Sequence, residues 1–168
     1  STQAKTLFPY TTLFRSEALV LGLGEAAQVV SQQAMLLEEF LARENQNKQL
    51  EGLKEKLNAA QQPILLHGHC HQKAFGVMSP VMEVIGLIPN AKPELIESSC
   101  CGMAGSFGYE ASHLDVSMQM AELSLLPAVR AKADAIVVAD GTSCRHQIKD
   151  GASRDAIHVA QLLSQHLM

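Results

Sequence analysis

The stretch Ala135-Ile136-Val137-Val138-Ala139-Asp140-Gly141-Thr142-Ser143-Cys144 decides the fold. Its apolar half is rich in β-branched residues and too short for a helix, and Asp-Gly ends it at once. It reads as a buried strand, followed by a short helix around residues 145–149. The same grammar recurs to either side. Upstream, Pro63 opens Ile64-Leu65-Leu66-His67-Gly68-His69, a second buried strand, and residues 94–98 form a weaker one. Downstream, Ala156-Ile157-His158 reads as a last short strand running into a helix over 159–167. Helical patterns fill the gaps: residues 71–87, with Pro80 as a kink or break, and 109–132, divided at Pro127. Pro89 and Pro93 mark a turn between them. Apolar strands alternating with helices imply an α/β fold, a small parallel sheet with crossover helices in a Rossmann-like three-layer arrangement.

Further out, residues 17–45 carry Val29, Val30, Leu36, Leu37, Phe40 and Leu41 at helical spacing, with Gly22 and Gly24 as a turn or break. That Gly-x-Gly has no third glycine at the fingerprint spacing and no strand before it, so it is not read as a dinucleotide site. Residues 46–62 are polar, a linker or a short surface helix holding Leu50, Leu53 and Leu57. Residues 1–16 contain no acidic residue and hold Phe8, Tyr10 and Phe14 of the chain's seven aromatics. The run from Thr6 to Ser16 has neither helical nor strand periodicity and resembles the conceptual translation of a sequencing adapter. The expected organisation is a non-native leader over 1–16, a helical lead-in and linker over 17–62, and a cysteine-rich α/β domain over 63–168. The natural protein is then expected to extend upstream.

Composition narrows the function. The 168 residues carry a net charge of −4, with 13 Lys and Arg against 17 Asp and Glu, which argues against a nucleic-acid partner. No apolar run approaches the roughly 18 residues of a membrane helix. Four cysteines are too few for a disulfide-built scaffold. Cys100 and Cys101 are adjacent and do not easily bridge each other. A reducing, cytoplasmic setting with metal or redox chemistry is expected, with a peripheral seat at the inner face of the membrane left open.

Every cysteine falls at a strand-to-helix junction. Cys70 follows the first strand, Cys100 and Cys101 the second, and Cys144 the third. In a parallel sheet these junctions share the carboxyl edge, where open α/β folds bind ligands. The four thiols are therefore expected to converge. Helix N-termini there favour thiolates, and Gly102, Gly105 and Gly108 let backbone N–H groups approach sulfur closely, with Gly141 counted among the cluster-loop backbone positions. Thiolates of this kind hold iron–sulfur clusters or zinc. His69, His71 and His158 lie near the same edge, as metal ligands, as supporting donors, or simply as hydrogen-bonded histidines. His67 shares a strand face with His69 without needing to share its role. Lys73, Arg145 and Gln147 are set to offset cluster charge, or are solvated.

Three segments carry a resemblance: His69-Cys70-His71-Gln72-Lys73-Ala74, Cys100-Cys101-Gly102-Met103-Ala104-Gly105-Ser106-Phe107-Gly108-Tyr109-Glu110, and Gly141-Thr142-Ser143-Cys144-Arg145. Together they resemble the cysteine-rich CCG domain of heterodisulfide reductase B subunits and of glycolate oxidase iron–sulfur subunits. Within that family the chain looks most like the C-terminal part of bacterial FAD- and Fe–S-containing D-2-hydroxyacid dehydrogenases, of the D-2-hydroxyglutarate or D-lactate kind. The resemblance implies that Cys70, Cys100, Cys101 and Cys144 ligate an iron–sulfur cluster. The family pattern ends in Cys-x-x-Cys, and Gly141 stands where its first cysteine would be. A four-thiolate [4Fe–4S] centre, or one completed by a histidine, then fits better than a five-thiolate cluster.

The implied role is an electron-transfer module. It takes electrons from FAD on an upstream domain, through a ferredoxin-like segment, toward a quinone or other acceptor, and is not expected to be an active dehydrogenase alone. A structural zinc module and a dithiol–disulfide site are the alternatives.

Overall fold

The computed structural model describes residues 20–168. The proposed leader over 1–16 and the first residues of the lead-in lie outside the described residues. Four parallel strands form one sheet: β1 (Ile64–His67), β2 (Pro93–Leu95), β3 (Ile136–Ala139) and β4 (Ala156–Ile157), in the order β2-β1-β3-β4. The α/β architecture expected from the sequence is therefore present. β1 is central and wholly buried, pairing Leu65 with Glu94 on one side and His67 with Ala139 on the other.

Helices α1 (Glu25–Gln33), α2 (Leu37–Gln46) and α3 (Glu51–Lys54) precede the sheet. α4 (Cys70–Ala74) and α5 (Met78–Ile85) cross from β1 to β2, and α6 (Leu114–Glu122) and α7 (Leu125–Ala131) from β2 to β3. α8 (Thr142–Ala152) joins β3 to β4, and α9 (Val159–His166) follows β4.

Strand alternation sorts the core into two layers. Ile64, Leu66 and Val138 point to one side and pack with Ala42, Val81, Val84, Ile85, Val159 and Leu162, so α2, α5 and α9 cover that face. Leu65, Val137 and Ala139 point to the other and pack with Leu125, Val129, Cys144 and Ile148, so α7 and α8 cover it. Burying both faces is what allows strands this apolar.

Several boundaries depart from the sequence expectation for definite reasons. The proposed helix over 71–87 breaks at Gly76 (φ +69), not at Pro80. Pro80 is the third residue of α5, in the first turn, where no intrahelical N–H is needed. Pro127 sits the same way in α7, and the break comes before it, at Leu123 and Ser124. The first helix expected over 17–45 is two, α1 and α2, parted at residues 34–36, with Gly22 and Gly24 both at positive φ ahead of them.

The segment before β1 is fastened to the rest. Asn45 Nδ2 donates to Glu83 of α5 at 2.8 Å, and Leu57 forms an antiparallel bridge with Leu167. Among the described residues no helix is long and apolar enough to cross a membrane.

Candidate metal centre

The chain leaves each of the first three strands near a cysteine. Cys70 is the first residue of α4, Cys144 lies in the first turn of α8, and Cys100 and Cys101 lie on the loop after β2. All four thiols are free. They meet in two pairs: Cys70 Sγ stands 3.6 Å from Cys100 Sγ, and Cys144 Sγ 3.4 Å from Cys101 Sγ. Cys101 and Cys144 are buried, whereas Cys70 and Cys100 are half-buried. The site thus has an inner pair and an outer pair.

The backbone is shaped to the sulfurs. Gly102 N–H donates to Cys100 Sγ at 3.3 Å. Gly102 adopts φ +91, and a Cβ there would run into the Ser117 carbonyl, so only glycine fits. Gly105 also turns at positive φ (+70) but has open space around it. Gly141 meets a different constraint, because a Cβ there would lie 2.9 Å from Cys144 Sγ and 3.0 Å from His69 Nε2.

The electrostatics divide the thiols. The Cys101 thiol is pulled down to about 4 by the Cys144 thiol hydrogen bond above all, against burial, with His67 and the Met103 backbone adding to the fall. Its partner Cys144 is pushed up, first by that same bond and then by burial. Burial and then Cys100 push the Cys70 thiol up to about 11. One anion is thus preferred at the inner pair, and a cation is the remaining way to hold more thiolate charge there.

The histidines separate into distinct roles. His69 caps α4: its Nδ1 accepts the His71 N–H at 3.3 Å, and Gln72 Oε1 accepts the His69 N–H at 2.9 Å. Burial, and then His71, hold its ring below the usual histidine range. His71 is exposed at the rim, edge-on to His69 with ring centroids 5.1 Å apart. His158 lies on the opposite face of the sheet and caps α9, its Nδ1 accepting the Ala160 N–H at 3.0 Å. There it forms a second grouping with Glu38 and Asp140.

His67 is the residue sequence reasoning did not place at the centre. It is fully buried, and its donor nitrogen lies within 4.8 Å of the Cys101 and Cys144 sulfurs. Strand parity carried the signal, since His67 faces the same side as Leu65, the side that packs on both cysteines.

Asp140 was missed as well. Its Oδ2 accepts from Gln72 Nε2 at 2.6 Å and its Oδ1 from Val159 N–H at 2.9 Å, joining α4 and α9 to the end of β3. Arg145 donates to the Ala139 and Asp140 carbonyls, and Lys73 Nζ to the Ser98 carbonyl, so neither side chain is purely solvated. Gln147 is buried and donates to Ser117.

The residues present fit a thiolate-held metal group. Two pairs of sulfurs lie at this edge, a buried imidazole, His67, stands within 4.8 Å of the inner pair, and soft thiolates with imidazole suit iron and zinc. Fold and site together define an α/β domain with a cysteine-lined candidate metal centre at the carboxyl edge of its sheet.

No family model matches the chain, and no solved structure matches it. Curated proteins do. The chain is 28% identical over 104 residues to an anaerobic glycerol-3-phosphate dehydrogenase subunit of Escherichia coli, covering 62% of this chain and 26% of that protein. It is 37% identical over 73 residues to the D-2-hydroxyglutarate dehydrogenase of Pantoea ananatis, covering 44% of this chain and 7% of that protein. The Haemophilus influenzae D-2-hydroxyglutarate dehydrogenase is 31% identical over 86 residues, 50% of this chain and 8% of its own length. The chain thus spans about a quarter or less of these relatives, each of them a dehydrogenase or a dehydrogenase subunit.

Proposed function

We propose that this chain is the iron–sulfur electron-transfer module of a flavin-dependent D-2-hydroxyacid dehydrogenase. It passes electrons from FAD on an upstream domain, by way of a ferredoxin-like domain, to a quinone or other acceptor. The observation that carries the reading is the convergence of four free thiols at one sheet edge, in a chain similar to dehydrogenase subunits. Cys70, Cys100, Cys101 and Cys144 are the proposed ligands, and a [4Fe–4S] cluster the proposed cofactor. Such a cluster supplies one-electron transfer when bound.

The chain's own residues supply the setting. Cys101 and Cys144 exclude water from the inner side, and the Gly102 N–H steadies charge on Cys100. Half-buried Cys70 and Cys100 form the side on which an electron partner would dock. The α/β unit over 63–168 is the proposed module, with 17–62 as its helical lead-in.

The sulfur spacing favours a second reading. Two thiolates on one tetrahedral ion, at about 2.3 Å each, stand about 3.8 Å apart. The observed 3.4 Å and 3.6 Å are close to that, which suits a structural zinc.

Anaerobic purification of the full chain and reductive titration separate the two. Broad visible absorption that bleaches on adding dithionite supports the electron-transfer module. A colourless, redox-silent chain holding zinc overturns it in favour of the structural reading.

A further inference from the structure

His67 is the last residue of β1 and 0% exposed. One side of its ring is committed: Nδ1 lies 3.0 Å from Ser98 Oγ. The other nitrogen, Nε2, is buried and has no hydrogen-bond partner. A buried polar atom left so bears its desolvation cost without a bond to offset it, and native proteins rarely leave one without a reason.

The surroundings give the reason. His67 and the Cys101 and Cys144 sulfurs offer three donor atoms within 4.8 Å of one another. The His67 ring stands beside both sulfurs, which are themselves 3.4 Å apart, and its Nε2 has no hydrogen-bond partner of its own. In the tautomer that donates Nδ1–H to Ser98 Oγ, Nε2 keeps a lone pair for a metal. Metal-bound histidines are oriented in this way, donating the other ring N–H to an oxygen that fixes tautomer and angle. His69 and His158 are arranged oppositely. Each uses Nδ1 to accept a backbone N–H, which puts the proton on Nε2 and makes that atom a donor.

We propose that His67 Nε2 is a metal ligand of the thiol site, adding one imidazole to the inner pair of thiolates. The inference rests on the reading of the site as a metal centre and adds a nitrogen donor to it. Gly141 offers no donor, and the nitrogen comes instead from the neighbouring strand end. A neutral imidazole brings a donor without a further negative charge, whereas a thiolate in its place would add one and lower the potential of an iron–sulfur centre.

The test uses the full chain purified anaerobically, loaded with iron(II) and sulfide if it arrives empty. Metal analysis identifies the metal, and X-ray absorption at its edge counts nitrogen and sulfur donors. The expected result is one imidazole shell in the wild type. It is lost in His67→Ala along with part of the bound metal, and replaced by sulfur in His67→Cys with a shift to more negative potential. A wild-type shell of sulfur alone overturns the proposal, as does an imidazole signal that survives His67→Ala. The wild-type measurement stands even where a variant fails to fold. A chain that takes up no metal at all overturns the metal-centre reading and this inference with it.

Discussion

The ring of His69 occupies the space that a side chain on residue 141 would need. A Cβ built on Gly141 would lie 3.0 Å from His69 Nε2 and 2.9 Å from Cys144 Sγ, and nearer still to His69 Cδ2. The backbone of Gly141 is ordinary, with φ −68, so the constraint is steric rather than conformational. His69 is held in place by capping α4, and Gly141 must stay small to admit it.

Gly141→Ala is therefore expected to destabilise the fold by about 1–3 kcal/mol, the usual cost of overpacking. Combining it with His69→Ala should cost less than the two single changes added, because the second removes the obstacle. Urea denaturation of the four chains in this cycle measures the coupling. Full additivity would mean that the two residues do not compete for space. Gly141→Cys, which would write the complete Cys-x-x-Cys, should lower metal content unless His69 is shortened as well.

The cluster loop makes a graded prediction. Gly102→Ala places a methyl group against the Ser117 carbonyl, which is backbone and cannot swing away. The cost should reach about 3 kcal/mol or more, as strain adds to overlap. Gly105→Ala meets open space and bears only its left-handed backbone, about 1–2 kcal/mol. Thermal unfolding of both variants checks the order, and equal losses would refute the geometry.

Glu38 provides a pH signature away from the thiols. Burial first, and then the neighbouring Asp140 charge, raise its carboxyl from 4.5 to about 7. Below about pH 4.5 the group is protonated in folded and unfolded chains alike, and its contribution is intact. Between about 4.5 and 7 the unfolded chain releases a proton that the folded chain keeps, so stability falls as pH rises. The loss totals on the order of 3 kcal/mol. Glu38→Gln should flatten this slope and leave the protein more stable than wild type at about pH 8. Parallel slopes for the two chains, measured by chemical denaturation from about pH 5 to about pH 8, would show that Glu38 does not titrate there.

Asp140→Ala strands two buried donors, Gln72 Nε2 and Val159 N–H, and unties α4 and α9 from β3. A loss of about 3 kcal/mol is expected, because orphaned buried donors bear their full desolvation cost. The melting temperature should drop more than in Gln72→Ala, which leaves the Val159 bond in place. The reverse order would place the weight of the network on Gln72 instead.

Much of this was legible in the chain. The β-branched run ending at Ala139 and the apolar run at Ile64 mark strands whatever surrounds them, and cysteines after successive strands of a parallel sheet must share an edge. The prolines misled because a proline three residues into a helix is indistinguishable in sequence from one that ends it. Only the neighbours, Gly76 and Ser124, show where each break falls. His67 was obscured because strand parity groups it with His69. The chain turns into α4 after His67, so the two rings serve different ends: one faces the sulfurs and the other caps a helix. Glu38 and Asp140 are 102 positions apart in sequence, and no local pattern announces that α2 and β3 bring them together.

The proposed electron-transfer role is tested most sharply by the iron, zinc and acid-labile sulfide content of the anaerobically purified full chain, beside that of Cys101→Ser. About four irons with matching sulfide are expected in the wild type, with most of both lost when the buried thiolate is removed. One zinc without sulfide, or no metal in a folded wild-type chain, would contradict that role.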